Sequence, residues 1–188
     1  MNRIVCLIAI IVGLGVANGL AAAHAAPKSS PKFSVPRLER AIHDLVNRER
    51  RTKRQQLLAW DASLAVVARR HSDDMAKRKY FSHRSPEGET FGMRFKKGGY
   101  ACALRIGNKV HMGAENIAQV HRYASVNVVN GAQYFDWNSE SKIARETVAG
   151  WMGSPGHRAN ILTRHWRREG IGLGIAKDGK IFATQNFC

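Results

Sequence analysis

Three stretches of the chain carry apolar residues at helical spacing. Leu38, Ala41, Ile42, Leu45 and Val46 recur every three or four positions and draw one stripe along a first helix that begins near Val35. A second stripe, Leu64, Val67, Ala68, His71 and Met75, follows Asp61, whose short carboxylate suits an N-cap. His71 on that stripe reads as a core-edge histidine. A third helix fits Glu140 to Trp151, with Ile143, Val148 and Trp151 inward, and Pro155-Gly156 is expected to end it. Between the second and third helices, Tyr80 to Gly88 and Gly98-Gly99 break the period, so this stretch reads as a loop carrying a short helix over Met93 to Lys97. Gln119 to Ser139 has no clean period and holds Tyr123, Tyr134, Phe135 and Trp137; it reads either as a long loop or as the wall of a groove.

Near the C-terminus the period changes from helical to alternating. Ile171, Leu173 and Ile175 alternate with Gly172, Gly174 and Ala176, then Asp178-Gly179 leads into Ile181 to Phe187, which is the pattern of a β-hairpin. Glycines along one face leave room for a helix or a neighbouring backbone to pack closely. Helices before and around a small sheet predict an α+β fold of three layers, an α-β-α sandwich closed by a C-terminal hairpin. With 188 residues, 44% of them apolar, one packed domain is expected.

The first 25 residues have a different character. A short basic start, Met1-Asn2-Arg3, precedes a 13-residue apolar run, Ile4 to Val16, too short for a membrane span of about 20 residues. Ala23-His24-Ala25 supplies the small-x-small pattern of a signal-peptidase site, so residues 1–25 read as a signal peptide that takes Cys6 with it. Residues 26–34, rich in Pro and Ser, read as a flexible lead-in, and the domain as residues 35–188. Lys and Arg total 30 against 14 Asp and Glu, and loss of the leader removes only Arg3, leaving a net +15 on a secreted or periplasmic chain. Such a field attracts lipid headgroups and anionic polymers and makes a peripheral membrane surface a candidate partner; export argues against nucleic acid. Cys102 and Cys188 remain, and an even count in an oxidising compartment reads as one disulfide. The alternative is a reactive thiol at Cys102, which no leaving-group site supports.

Two basic clusters stand out. Arg48, Arg50, Arg51, Lys53 and Arg54 read as a solvated helix end or a polyanion patch. Arg158, Arg164, Arg167 and Arg168, interleaved with His165 and Trp166, suit an anionic headgroup or sugar-phosphate polymer, with the Trp166 ring expected in the core and the arginines on the surface. Arg158 is also a candidate partner for a cavity acid.

The strings of common hydrolases and phosphate-binding loops are missing. Three clusters in loop-like surroundings remain: Tyr80 to Pro86 around His83, Gly113 to Ile117 around Glu115, and Trp151 to Leu162 around His157. Together with Asn47 to Arg50, Leu58 to Trp60 before Asp61, and the closing Gly-x-Gly hairpin, these clusters, in this order, resemble the CAP superfamily of cysteine-rich secretory, antigen and pathogenesis-related proteins, in its bacterial SCP-domain branch. The resemblance covers about Val35 to Cys188. It implies an α-β-α sandwich with a solvent-open cavity lined by two histidines, matching His83 and His157, and two acids, the first matching Glu115. At the second acid's place this chain has Ser154, and Glu146 is the nearest carboxylate upstream. Two imidazoles can bind Zn²⁺ with positions left for water or a carboxylate. The rival reading is that Glu115 and the histidines hydrogen-bond one another and hold three loops together. A Ser154–His157 nucleophile pair is geometrically conceivable but lacks an oxyanion-hole signature. The expected function is binding of a lipid or anionic envelope or extracellular ligand through a His/Glu cavity and the basic surface; the alternative is a metal-dependent hydrolase with His83 and His157 as ligands and Glu115 as base.

Overall fold

A computed structural model describes residues 31–188, so the signal peptide read over residues 1–25 and most of the lead-in lie outside the described residues. From Val35 the chain runs α1 (Val35–Thr52), β1 (Ala59–Trp60), α2 (Ala62–Arg78), α3 (Phe91–Lys97), β2 (Leu104–Ile106), β3 (Lys109–His111), β4 (Ala114–His121), β5 (Tyr123–Val129), β6 (Ala132–Trp137), α4 (Glu140–Gly153), α5 (Pro155–Leu162), β7 (Arg168–Ile175) and β8 (Lys180–Phe187). The central sheet has the order β1-β7-β8-β4, with β1 parallel to β7 and the other neighbours antiparallel. Helix α2 covers one face, and α1 with α4 covers the other, which completes the expected three layers.

The sequence stripes account for these contacts. Leu38, Ile42 and Val46 of α1 are buried with Ile143, Val148 and Trp151 of α4 against Ile171, Leu173, Ile181 and Phe187 of the sheet. Ser34 and Asp61 cap α1 and α2; the Asp61 carboxylate accepts from the backbone N–H of Ser63 and Leu64 at 2.9 and 3.1 Å. On the opposite face of β7, a Cβ added to Gly170, Gly172 or Gly174 would fall inside the backbone of α2 at Leu64–Ala65, Ala68–Arg69 and Ser72–Asp73. Those glycines let the helix backbone lie directly on the strand.

Four expectations change. The segment from Gln119 to Ser139 is the end of β4 followed by a separate two-stranded ribbon, β5–β6. Its alternation is masked because a bulge between Tyr123 and Ser125 shifts the phase of one strand. Pro155 opens α5 instead of ending the helical region, since a proline has its φ pre-set and needs no N–H in the first turn. Arg50 is not part of a solvated helix end: it is fully buried and donates to the carbonyls of Gln56 (2.7 Å), Ile161 (2.5 Å) and Thr163 (3.0 Å), tying α1 to the end of α5. Arg158 donates to the Met152 carbonyl at 3.1 Å and pairs with no cavity acid among the described residues. Trp166 is buried in the core while Arg164, Arg167 and Arg168 are exposed. Cys102 and Cys188 are joined, Cα to Cα 5.7 Å, fastening the segment after α3 to the end of β8.

Candidate functional site

His83, Glu115 and His157 come from three different kinds of element. His83 lies in the loop between α2 and α3, Glu115 is the second residue of β4, and His157 sits in the first turn of α5. Only the first is loop-borne, which corrects the reading of all three clusters as loops. Glu115, on the edge strand β4, is buried at the wall of the cleft. His83 is held by the residue before it: His71, buried on α2, bonds the Ser82 carbonyl through Nε2 at 3.0 Å. A carbonyl only accepts, so that nitrogen carries the proton, and burial pushes the His71 imidazole down, keeping it neutral.

Glu115 has a side chain that is 1% exposed, and both of its oxygens are engaged. Oε1 accepts from His83 Nδ1 at 2.9 Å, and Oε2 accepts from Arg94 Nη2 at 2.7 Å. Arg94 is itself buried and also donates to the carbonyls of His83 (3.1 Å) and Glu89 (2.9 Å). One guanidinium thus neutralises the buried carboxylate and pins the loop that carries His83. Sequence reasoning missed it. The signal was available in α3, where Phe91, Arg94 and Phe95 fall at i, i+3 and i+4 and place the arginine on the inward face.

The His83 and His157 rings stand 6.3 Å apart, centroid to centroid. Because Nδ1 of His83 donates to Glu115, its Nε2 is the nitrogen left for other partners. Burial and the neighbouring His83 push the His157 imidazole below the ordinary histidine range. A cleft of about 420 Å³ opens here, bounded by His83, Arg84, Phe91, Glu115 and Asn160. Ser154 is half-buried between α4 and α5, and among the described residues no hydrogen bond joins it to His157. Glu146 lies on the exposed side of α4, 3.8 Å from Lys142, and not with Glu115 and the histidines.

The backbone under the site is fixed by a chain of buried amides. Asn116 donates to the His157 carbonyl (3.1 Å) and to Gln185 Oε1 (3.0 Å), and Asn160 donates to Asn116 Oδ1 (2.8 Å). Gln185 continues to Glu169 (2.5 Å), which meets His43 Nδ1 (2.6 Å), and His43 reaches Asn47 (3.2 Å). Asn47 in turn bonds both the N–H and the carbonyl of Leu58. The asparagines of the motifs are therefore structural ties that set where His157 and Glu115 stand.

Zinc, the metal that two imidazoles could take, finds a poor donor set. Among the described residues no three His, Cys, Asp or Glu side chains come together as a ligand group. Glu115 is spent on His83 and Arg94, which leaves two imidazoles where catalytic zinc sites use three protein ligands. These residues do not fit a zinc centre built by the protein alone.

Comparison with known proteins agrees with the fold and the motifs. A family model described as CAP, the cysteine-rich secretory protein family, matches residues 43–187. The uncharacterized protein YkwD of Bacillus subtilis is 30% identical over 157 residues, 84% of this chain and 49% of that protein. The uncharacterized membrane protein YlbC of the same organism is 31% identical over 149 residues, covering 79% and 34%. The chain thus spans about half and a third of the lengths of these relatives. Among solved structures, an extracellular protein containing an SCP domain from Bacillus anthracis is 30% identical with a TM-score of 0.58, covering 84% of this chain and 44% of that one. An outer surface protein of Borrelia burgdorferi shares the fold at 14% identity with a TM-score of 0.60, covering 84% and 96%. Among the described residues no helix is long and apolar enough to cross a membrane. With the family model matching residues 43–187, most of the chain, this protein belongs to the CAP, or cysteine-rich secretory protein, family.

Proposed function

We propose that this CAP-domain protein is an exported binding protein that takes an anionic group, borne by a lipid or an envelope or extracellular polymer, in the cleft between His83 and His157. The observation that carries this reading is the double engagement of Glu115. A carboxylate committed to Arg94 and His83 is neither a free base nor a free ligand, so what the cleft offers an anion is the exposed Arg84 and His83 Nε2, which donates once that ring is protonated, with the His157 ring 6.3 Å away. Arg158, Arg164 and Arg167 lie on or just after α5, the helix that also supplies His157 and Asn160. They pair with no carboxylate among the described residues and so extend the positive surface. Arg168 contributes less, being 3.5 Å from Asp61. The extracellular location of the Bacillus anthracis relative supports export.

The test is co-sedimentation of the purified protein with vesicles containing phosphatidylglycerol, beside a soluble polyphosphate to separate lipid from polymer. Binding should fall steeply between 50 and 500 mM salt, roughly the range over which the screening length drops from above to below about 10 Å. It should strengthen as the pH is lowered and the His157 imidazole, held below the ordinary histidine range by burial and by His83, gains its charge, and weaken in His83→Ala/His157→Ala. Binding that survives high salt overturns the reading. So does calorimetric zinc binding at one equivalent that the double variant abolishes, because the cleft would then be a metal site and the hydrolase would take precedence.

A further inference from the structure

Four strand ends meet at one end of the central sheet. Ala59 pairs with Arg168, Glu169 with Phe187, and Phe187 with Ala114, so β1, β7 and β4 begin where β8 finishes. The segments that lead into those three strands, residues 53–58, 163–167 and 98–113, therefore emerge at the same end. Direct contacts join them. Buried Arg50 holds the carbonyls of Gln56 and Thr163, the Ala59 N–H donates to the Arg167 carbonyl at 2.9 Å, and the His111 ring meets Trp166 edge-on at 6.3 Å. Parts of the two basic clusters, far apart along the chain, thus come together in the fold.

These three segments contain no Asp or Glu. They carry Lys53, Arg54, Arg105, Lys109, Arg164 and Arg167, all exposed. Arg167 bonds the carbonyls of Arg164 and Trp166, neutral acceptors that leave its charge uncompensated, whereas the next residue, Arg168, is held by Asp61. Among the described residues, three of the seven exposed large hydrophobic side chains stand in the same segments: Leu57 (40% exposed), Val110 (49%) and Met112 (58%). In the β2–β3 hairpin Leu104 packs on the core and its partner His111 lies against Trp166, so that face is turned inward. Arg105 and Val110, the next pair in the register, are on the outward face, and Met112, two positions on, continues that side.

Cations alone would serve a soluble polyanion. Cations set among protruding apolar side chains match an anionic bilayer, where charges hold the headgroups and apolar tips enter the acyl boundary, about 5–10 Å deep. At the other end of the sheet the β7–β8 turn places Asp178 against Lys180 at 2.8 Å, so positive charge without acids is a property of one end, and it orients the molecule.

We propose that this end of the sheet docks on an anionic membrane surface, with the six cations on the headgroups and Leu57, Val110 and Met112 inserted between them. The docking end goes beyond the histidine cleft and acts whether or not that cleft takes an anion. The probe is phosphatidylglycerol vesicles titrated with the purified protein in about 100 mM salt, where exposed charges still act over about 10 Å, with phosphatidylcholine vesicles and soluble polyphosphate as controls. The protein should partition onto the phosphatidylglycerol vesicles and not onto phosphatidylcholine. Each basic residue near an anionic bilayer adds about fivefold, so Lys53→Gln/Lys109→Gln should weaken vesicle binding about 25-fold. Val110→Thr/Met112→Gln should weaken it about tenfold and leave polyphosphate binding unchanged. All four side chains are exposed, so melting temperatures should stay put. Vesicle binding that the charge pair leaves unchanged overturns the proposal. So does vesicle binding that the apolar pair leaves unchanged, because the end would then be a polyanion surface. His83→Ala/His157→Ala separates the two readings. Loss in that variant, with wild-type binding in both surface pairs, overturns this proposal and leaves the cleft standing; loss in the surface pairs alone supports this proposal and removes the cleft reading.

Discussion

Replacing Arg94 by methionine tests the centre of the site directly. Methionine fills much of the same volume but leaves the Glu115 carboxylate, 1% exposed, with His83 as its remaining partner. Removing one member of a buried ion pair costs about 3–5 kcal/mol, because the other charge stays desolvated and uncompensated. The lost bonds to the His83 and Glu89 carbonyls count for less, since those groups lie nearer to solvent. For a domain of this size, with about 2–4 °C per kcal/mol, the melting temperature should fall by roughly 6–20 °C. Adding Glu115→Gln removes the stranded charge while keeping an acceptor for His83 Nδ1. The double variant should therefore recover much of the loss, with a coupling energy of about 2 kcal/mol or more in a double-mutant cycle followed by urea unfolding. An Arg94→Met cost below about 1 kcal/mol, or strictly additive single costs, would refute the view that this pair organises the site.

Further outcomes follow from the packing and the titrating groups. Gly172→Ala should cost about 3 kcal/mol, the upper end of ordinary overpacking, because its Cβ would meet the backbone of Arg69 and Ala68. Gly150→Ala, in an exposed turn of α4 with nothing within 4 Å, should stabilise by about 0.5–1 kcal/mol; urea midpoints of the two variants check both signs. Reducing Cys102–Cys188 opens a loop with a sequence separation of 86, for which chain entropy gives at most about 4–5 kcal/mol, measurable as a lower melting temperature in reductant. Folding lowers the proton affinity of His71 and His157, so below their unfolded value of about 6.5 the unfolded chain binds more protons than the native one. Stability should accordingly decline from pH 7 towards pH 5. His71→Gln, whose amide still donates to Ser82, should flatten that decline, and an unchanged slope in urea titrations would count against a neutral His71.

Legibility divided along a physical line. Helices α1, α2 and α4 were visible because each buries one stripe on one partner, so sequence period and packing coincide, and the glycine face of β7 announced the close approach of α2. The ribbon β5–β6 was not visible, because a bulge breaks its phase and most of its residues are partly or fully exposed. Within the site, His83, Glu115 and His157 were read as chemistry, and the structure brings them together. The bond between Glu115 and His83 was among the readings the residues allowed, but the second commitment of Glu115 was not. That commitment comes from Arg94, 21 positions upstream, and no local pattern links a basic residue on a short helix to a carboxylate on an edge strand. Arg50 was misread for the same reason, its three acceptors lying 6, 111 and 113 positions away. Buried charges are satisfied by whichever polar groups the tertiary fold supplies, and periodicity records only which side of an element faces inward. An arginine on the inward face of a helix is therefore a sign that an acid or a set of carbonyls is waiting, and Arg50 and Arg94 each meet that condition in this fold.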